Sequence, residues 1–365
     1  MLLALLIPFA PFISPVVLGV LTTTVLVLSE AKTLARLFVT KLPLDLSAES
    51  KREHMQTILG ATGQIGRELA LSLKHDFISN IRVVSRNPEK INDSDEVVSA
   101  DLMDASQTLR AVQGSEIVYF TAGLPLDSQI WAERFPVMMR NVIDACAAQG
   151  AKLVYFDNTY MYPQTSQPQS ENTQFLPNGP KGQARAKATR ILLDAMDQDR
   201  LEAMICRAPE FYGPGKTQSI TNSTVIDNLL AGKPAKVFLR DDTLRTLIFT
   251  PDASRAMALL GNTPDAFGQT WHLPCDDDRL TYAQFVRLAA EIFGVEENYK
   301  VLKRWQIWLA ARANKTVRET EELLPRYKVD NLFISDKFKS RFPDFRVTTY
   351  REGLTAIRDD HEERR

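Results

Sequence analysis

The sequence predicts an α/β fold: a doubly wound parallel sheet with a smaller lobe toward the C-terminus. Two observations carry this expectation. Short β-branched runs alternate with helical stretches from Gln56 to Arg207, and a glycine-rich turn separates the first run from the first helix. Such alternation builds parallel strands joined by right-handed helical crossovers.

The elements follow in order. Gln56–Leu59 reads as a strand, Ile65–Lys74 as a helix, and Ile81–Ser85 and Glu96–Ser99 as strands. Ser106–Gln113 reads as a helix, Ile117–Phe120 as a strand, and Gln129–Gln149 as a long helix. Lys152–Asp157, Pro180–Met196 and Ala203–Arg207 complete a strand–helix–strand unit. Beyond Arg207 the rhythm breaks. Pro209, Gly213, Pro214 and Gly215 mark a loop. A helix (Ser223–Leu230), a strand (Ala235–Leu239) and a helix (Thr281–Phe293) follow at irregular spacing. The expected division is 1–54, an apolar leader; 55–207, a dinucleotide-binding domain; 208–357, mainly a substrate lobe interleaved with the sheet; and 358–365, a solvated, frayed tail.

Composition excludes other classes. The chain has 365 residues, 44% hydrophobic and 24% charged, which suits a packed core and not a disordered chain. With 44 basic and 45 acidic residues the net charge is −1, so nothing global draws the protein to nucleic acid or anionic lipid. Cys146, Cys206 and Cys275 are scattered and odd in number, which predicts buried thiols in a reducing compartment. The four histidines (His54, His75, His272, His361) are dispersed, and no metal site is expected.

No charged residue precedes Glu30. Phe12–Leu28 is about long enough for a short transmembrane helix. Lys32, Arg36 and Lys41 follow it, which would leave the rest of the chain facing the cytoplasm. A second reading starts the working protein at Met55, directly before the first core strand, as a cytoplasmic enzyme. A signal peptide is disfavoured, because the basic n-region is missing.

The strongest motif is Gly60-Ala61-Thr62-Gly63-Gln64-Ile65-Gly66. Gly60 permits a tight turn, Gly63 lets backbone approach a diphosphate, and Gly66 lets helix and strand pack closely. The helix start then offers free N–H groups and a positive dipole end to phosphate.

With these residues the chain from Met55 to about Ile357 resembles the extended short-chain dehydrogenase/reductases, the NAD-dependent epimerase/dehydratase group. Further stretches carry the resemblance in the same order. Ala100-Asp101-Leu102-Met103-Asp104 looks like the adenine-side segment, and Tyr119-Phe120-Thr121-Ala122-Gly123 like the strand-end turn beside the cofactor. Arg207-Ala208-Pro209-Glu210-Phe211-Tyr212-Gly213-Pro214-Gly215 is close to the family's RPxxxYGPG. Phe249-Thr250-Pro251-Asp252-Ala253-Ser254-Arg255-Ala256 resembles its later HVDDVAxA stretch. The resemblance implies a Rossmann-type fold and cofactor contacts from Gly60, Thr62, Gly63, Gln64, Ile65, Gly66, Asp101, Leu102, Thr121, Ala122, Gly123 and Pro209. It places Tyr212 near the substrate. It also implies a homodimer, through the helices Gln129–Gln149 and Pro180–Met196. The second strand ends Ser85-Arg86 where NAD-specific members usually carry an acid. A guanidinium at Arg86 suits a 2′-phosphate, so NADP is expected over NAD.

The family's chemistry uses a Ser or Thr, a Tyr, and a Lys four residues after the Tyr. The matching positions here hold Asn158, Lys181 and Arg185, so none of the three is retained. One expectation is a rebuilt site. Asn158 would polarise a carbonyl, Arg185 would keep the ribose contact, Lys181 would donate a proton, and Tyr160 or Tyr162 would supply a phenol. Such an enzyme would act on a hydroxyl- or carbonyl-bearing small molecule, such as a nucleotide sugar. The other expectation is a non-catalytic dinucleotide-binding sensor. Trp271-His272-Leu273-Pro274 reads as a packed strand with a satisfied histidine, and Trp305-Gln306-Ile307-Trp308-Leu309 as core or interface packing.

Overall fold

The computed structural model describes residues 54–364 apart from 79 and 216, so the expectations for residues 12–28 lie outside the described residues. The first half runs β1 (Met55–Leu59), α1 (Gln64–Asp76), β2 (Ile81–Ser85), β3 (Glu96–Ser99), α2 (Ala105–Val112), β4 (Ser115–Phe120), α3 (Ser128–Gln149), β5 (Lys152–Asp157), α4 (Pro180–Asp197) and β6 (Ala203–Arg207). These elements match the sequence expectation to within a residue or two.

Seven strands form one parallel sheet in the order β11-β6-β5-β4-β1-β2-β3, where β11 is Thr270–His272. The order reverses between β1 and β4, which register in parallel from Gln56 with Ile117 to Leu59 with Phe120. A crevice opens outside the strand ends at such a reversal. Side chains alternate across the sheet. Ile58 and Tyr119 pack on one face with Leu69 and Leu73 of α1. Leu59, Val118 and Phe120 pack on the other with Phe135 and Met139 of α3 and Leu192 of α4. The three cysteines are free and buried.

After β6 the chain makes β7 (Glu210–Tyr212), a π turn (Asn222–Ile226), α5 (Asp227–Leu230), β8 (Ala235–Phe238), β9 (Leu244–Arg245), β10 (Leu247–Phe249), α6 (Thr250–Gly261), β11, β12 (Leu280–Thr281) and α7 (Tyr282–Phe293). Then come β13 (Tyr299–Leu302), α8 (Arg304–Ala313), α9 (Lys315–Thr320), a 3-10 turn (Glu321–Lys328), α10 (Asp336–Arg341) and α11 (Tyr350–Glu363). The lobe's core gathers Val225, Leu247, Phe285, Tyr327 and Leu354. Its extra strands are two to four residues long, too short to show a period of two. Two expectations are corrected. The helix at Ser223 begins as a π turn, and the tail after Ile357 is not frayed: α11 continues to Glu363, and Asp360 accepts a bond from the Gly215 N–H at 3.1 Å. Thr349 and Glu352 form a capping box that starts this helix. Among the described residues no helix is long and apolar enough to cross a membrane.

Candidate active site

The glycine turn closes the end of β1 over the reversal point. Gly60 takes φ +98°, and its N–H bonds the Val84 carbonyl at 2.8 Å. A Cβ on Gly60 would lie 2.5 Å from the Ala122 backbone, and one on Gly66 would lie 2.5 Å from the Gly60 carbonyl oxygen. Both positions therefore exclude a side chain. Thr121 fastens the other lip, its N–H bonding the Leu59 carbonyl at 2.9 Å. Thr62 and Gly63 are exposed, and Ile65 is buried against the sheet. Gly63 caps α1 without any side-chain hydrogen bond, and no acid stands in the first turn. The helix start thus keeps its N–H groups for an outside acceptor. Gln64 Nε2 reaches Thr250 Oγ1 at 2.9 Å, tying this turn to α6.

On the β2 side, Ser85 Oγ is shut from solvent with no hydrogen-bond partner among the described residues, and Arg86 beside it is exposed. An orphaned hydroxyl at a crevice calls for an outside partner. Asp101 is exposed and Leu102 buried, the aspartate accepting a bond from the Met103 N–H at 3.0 Å. Ala122 and Gly123 follow Thr121 on the crevice edge, and a Cβ on Gly123 would meet nothing. Pro209 is buried between β6 and β7.

The catalytic positions differ more from expectation. Lys181 lies in the first turn of α4 and is 1% exposed. Its ammonium donates to Ser128 Oγ at 3.0 Å, to the Glu319 carbonyl at 2.6 Å and to Glu319 Oε2 at 2.9 Å. Glu322 Oε1 stands 3.6 Å away. An ammonium has three protons, and all are engaged. Lys181 therefore ties α9 and the 3-10 turn to α4, its three protons directed at Ser128 and Glu319. Burial pushes the Glu319 carboxyl up, but hydrogen bonds from Ser128 and Lys181 outweigh it and hold the group below the usual carboxylate range. Burial pushes Glu322 above it.

Arg185, one turn on, points at the sheet. Its Nη1 donates to Tyr155 Oη at 3.1 Å and Asp157 Oδ1 at 3.3 Å, and the guanidinium stacks 4.4 Å from the Trp131 ring. Its Nε is buried with no partner among the described residues. Asp157 also holds Arg207, at 3.2 Å. Asn158 spends its side-chain oxygen on the Tyr160 N–H at 2.9 Å, and its amide N–H2 makes no hydrogen bond among the described residues. Tyr160 is half-buried. Its carbonyl oxygen lies 2.5 Å from where a Cβ on Gly182 would be, and its ring lies 5.2 Å from the Arg326 guanidinium. No hydrogen bond forms at its hydroxyl among the described residues. Burial raises this phenol above the ordinary range, opposed by Arg326 and Arg185.

Two other expected tyrosines are buried. Tyr162 is fully buried, its hydroxyl meeting Arg207 at 2.6 Å and His272 Nε2 at 2.8 Å, so it supplies no phenol to a substrate. Tyr212 is 1% exposed and packs against Phe249, Phe285 and Tyr350 in the lobe core. His272 is a satisfied core histidine, stacked 3.9 Å from Phe333 and bonded through Nδ1 to the Ile334 carbonyl. Sequence reading missed Ser128, Glu319, Glu322 and Arg326, because they reach the site from distant segments. Asp157, an acid ending an apolar strand, was the one visible signal of the buried arginine cluster.

A parallel sheet with a glycine cradle at its reversal point defines a dinucleotide-binding α/β protein. The NAD dependent epimerase/dehydratase family matches residues 57–273, and the chain belongs to that family. A ceramide reductase from Caulobacter vibrioides (strain NA1000 / CB15N) is 26% identical over 246 residues, covering 66% of this chain and 70% of that protein. The 3beta-hydroxysteroid-dehydrogenase/decarboxylase isoform 3 of Arabidopsis thaliana is 26% identical over 191 residues, covering 46% of this chain and only 34% of the plant protein. UDP-glucuronic acid 4-epimerase from Bacillus cereus, in complex with UDP-glucuronic acid and NAD, superposes with a TM-score of 0.71 at 15% identity, over 85% of this chain and 100% of that one. UDP-glucose 4-epimerase from Thermus thermophilus, in complex with NAD, superposes at 0.68 and 15% identity, over 84% and 99%. The likeness to these two structures is one of fold.

Proposed function

We propose that the protein is a nicotinamide-dinucleotide-dependent oxidoreductase or epimerase-like enzyme, with its active site rebuilt around Tyr160. The carrying observations are a kept dinucleotide cradle and the Tyr160 phenol, whose hydroxyl makes no hydrogen bond among the described residues. The cradle fits the cofactor: Gly60 and Gly66 leave no room for side chains, α1 starts uncapped, and Ser85 Oγ and Arg185 Nε are buried without partners among the described residues. The Gly60–Gly66 turn would hold the diphosphate, and Asp101 and Leu102 the adenine. Ser85 and Arg86 would hold one ribose, and Thr121, Ala122, Gly123, Pro209 and Arg185 would line the nicotinamide end. Bound there, the cofactor supplies or accepts hydride. The exposed Arg86, with no acid beside it, supports NADP over the NAD of the family's description.

The chain's own groups handle the proton. At neutral pH the Tyr160 phenol is protonated, and in the reducing direction it gives that proton to the oxygen of a carbonyl substrate. Arg326 and Arg185 stabilise the phenolate left behind. The amide of Asn158 polarises the same carbonyl. The substrate class is a hydroxyl- or carbonyl-bearing small molecule. The names of the two sequence relatives, a ceramide reductase and a hydroxysteroid dehydrogenase, favour a lipid-like substrate over a nucleotide sugar.

A second reading, a dinucleotide sensor, is favoured by the saturated ammonium of Lys181 and by the bonds that hold Arg185 to Asp157. One experiment separates them. Turnover of NADPH against a panel of sterol, sphingoid and sugar ketones is measured with the wild type and Tyr160→Phe. Turnover that falls about a hundredfold in the variant, with NADPH affinity kept, supports the enzyme. Tight NADPH binding with no turnover across the panel supports the sensor.

A further inference from the structure

Helix α8 turns an apolar stripe toward solvent. Ile307 and Ala311 are its buried residues, at 2% and 4% exposure. Trp305, Trp308 and Leu309 are 65%, 49% and 57% exposed. With Arg312 they follow the i, i+3, i+4, i+7 spacing of one helix face, opposite the buried pair. The Arg312 guanidinium lies 3.9 Å over the Trp308 ring. Of the stretch Trp305–Leu309, read from sequence as core or interface packing, only Ile307 is buried in the core.

From 300 to 318 the chain carries charge of one sign, with Glu296 and Glu297 before that stretch and Glu319, Glu321 and Glu322 after it. Lys300, Lys303, Arg304, Arg312, Lys315 and Arg318 stand between 300 and 318 with no acid among them, in a chain whose net charge is −1. Lys315 pairs with Asp127, and the other five form no ion pair among the described residues. We propose that α8 is an interfacial helix that docks the protein on an anionic lipid bilayer. Two indoles at the headgroup boundary, a leucine beside them and a basic collar are what such a surface recognises. A second copy of this chain is the poorer occupant, because self-pairing would set two basic collars against each other. The docked helix leads through α9 into Glu319, the partner of Lys181, so the membrane would lie beside the candidate site. The proposal stands whether or not that site turns over, and it needs nothing from residues 12–28.

The test uses the full chain with vesicles of phosphatidylglycerol or phosphatidylcholine carrying brominated acyl chains. Bromine quenches indoles that enter the bilayer, while Trp131 and Trp271, buried at 7% and 3% exposure, serve as internal controls. Quenching is expected with the anionic lipid, weakened by salt, and lost in Trp305→Ser/Trp308→Ser. Arg304→Glu/Arg312→Glu is expected to weaken vesicle partition by at least about tenfold. Equal thermal stability of the variants shows that they fold. A chain that sediments with vesicles but shows unquenched indoles overturns the proposal, as does a chain that stays in solution. A dimer that Leu309→Glu splits in lipid-free buffer also overturns it, in favour of self-association.

Discussion

The ammonium of Lys181 ends 2.9 Å from the carboxylate of Glu319, 138 residues further along the chain. Lys181 occupies the place where the family's tyrosine would act, and it acts as a tie. Lys181→Met would leave Glu319 and Glu322 close together in a nearly closed pocket, at 13% and 11% side-chain exposure. Removing one partner of a buried pair costs about 3–5 kcal/mol. Urea unfolding of Lys181→Met should show a loss of that size, and Lys181→Met/Glu319→Gln should recover part of it. A change under about 0.5 kcal/mol in the single variant would show the tie to be dispensable.

The cradle was legible because backbone needs fix its residues. A turn with positive φ at Gly60 and a close approach at Gly66 leave glycine alone able to serve, so the motif shows in one line of sequence. The parallel sheet was legible because helices separate most of its strands, β2 and β3 being joined by a loop. The partners of Lys181 were not. Lys181, Ser128 and Glu319 lie on three elements, and only the folded lobe brings them together. The packing of Tyr212 was not legible, because an aromatic next to a glycine loop looks the same whether it lines a cleft or fills the lobe core.

The cradle argument makes Gly66→Ala informative. Its Cβ would lie 2.5 Å from the Gly60 oxygen and 2.8 Å from Ala61 Cα. The turn must open, at a cost of about 1–3 kcal/mol. Dinucleotide affinity should fall at least about tenfold in a titration followed by nucleotide fluorescence, which corresponds to about 1.4 kcal/mol. Unchanged affinity would place the binding site elsewhere.

Arg86→Asp tests cofactor choice. The guanidinium is exposed next to the orphaned Ser85 hydroxyl. Replacing it with an acid removes a 2′-phosphate partner and adds a repelling charge. The ratio of NADPH to NADH affinity should fall at least about tenfold, or about 1.4 kcal/mol. A wild type that prefers NADH would itself refute the role given to Arg86.

His272 gives the protein a pH-dependent stability. Burial, aided by Arg207 nearby, lowers its pKa from 6.5 to about 3, so the folded state holds it neutral. The unfolded chain therefore binds a proton that the folded chain does not, throughout the window from about pH 6.5 down to about 3. Stability from this residue is complete above the unfolded value and drains away as pH falls, at up to about 1.4 kcal/mol per pH unit. His272→Asn removes the titration and also the stacking on Phe333, so the variant should be weaker at about pH 7 but lose less between about pH 6 and about pH 4. The measurement is the urea midpoint at several pH values in both proteins, with the difference in slope as the readout. Parallel slopes would mean that His272 is charged in the folded state, against the bond geometry that keeps its ring between Tyr162 and the Ile334 carbonyl.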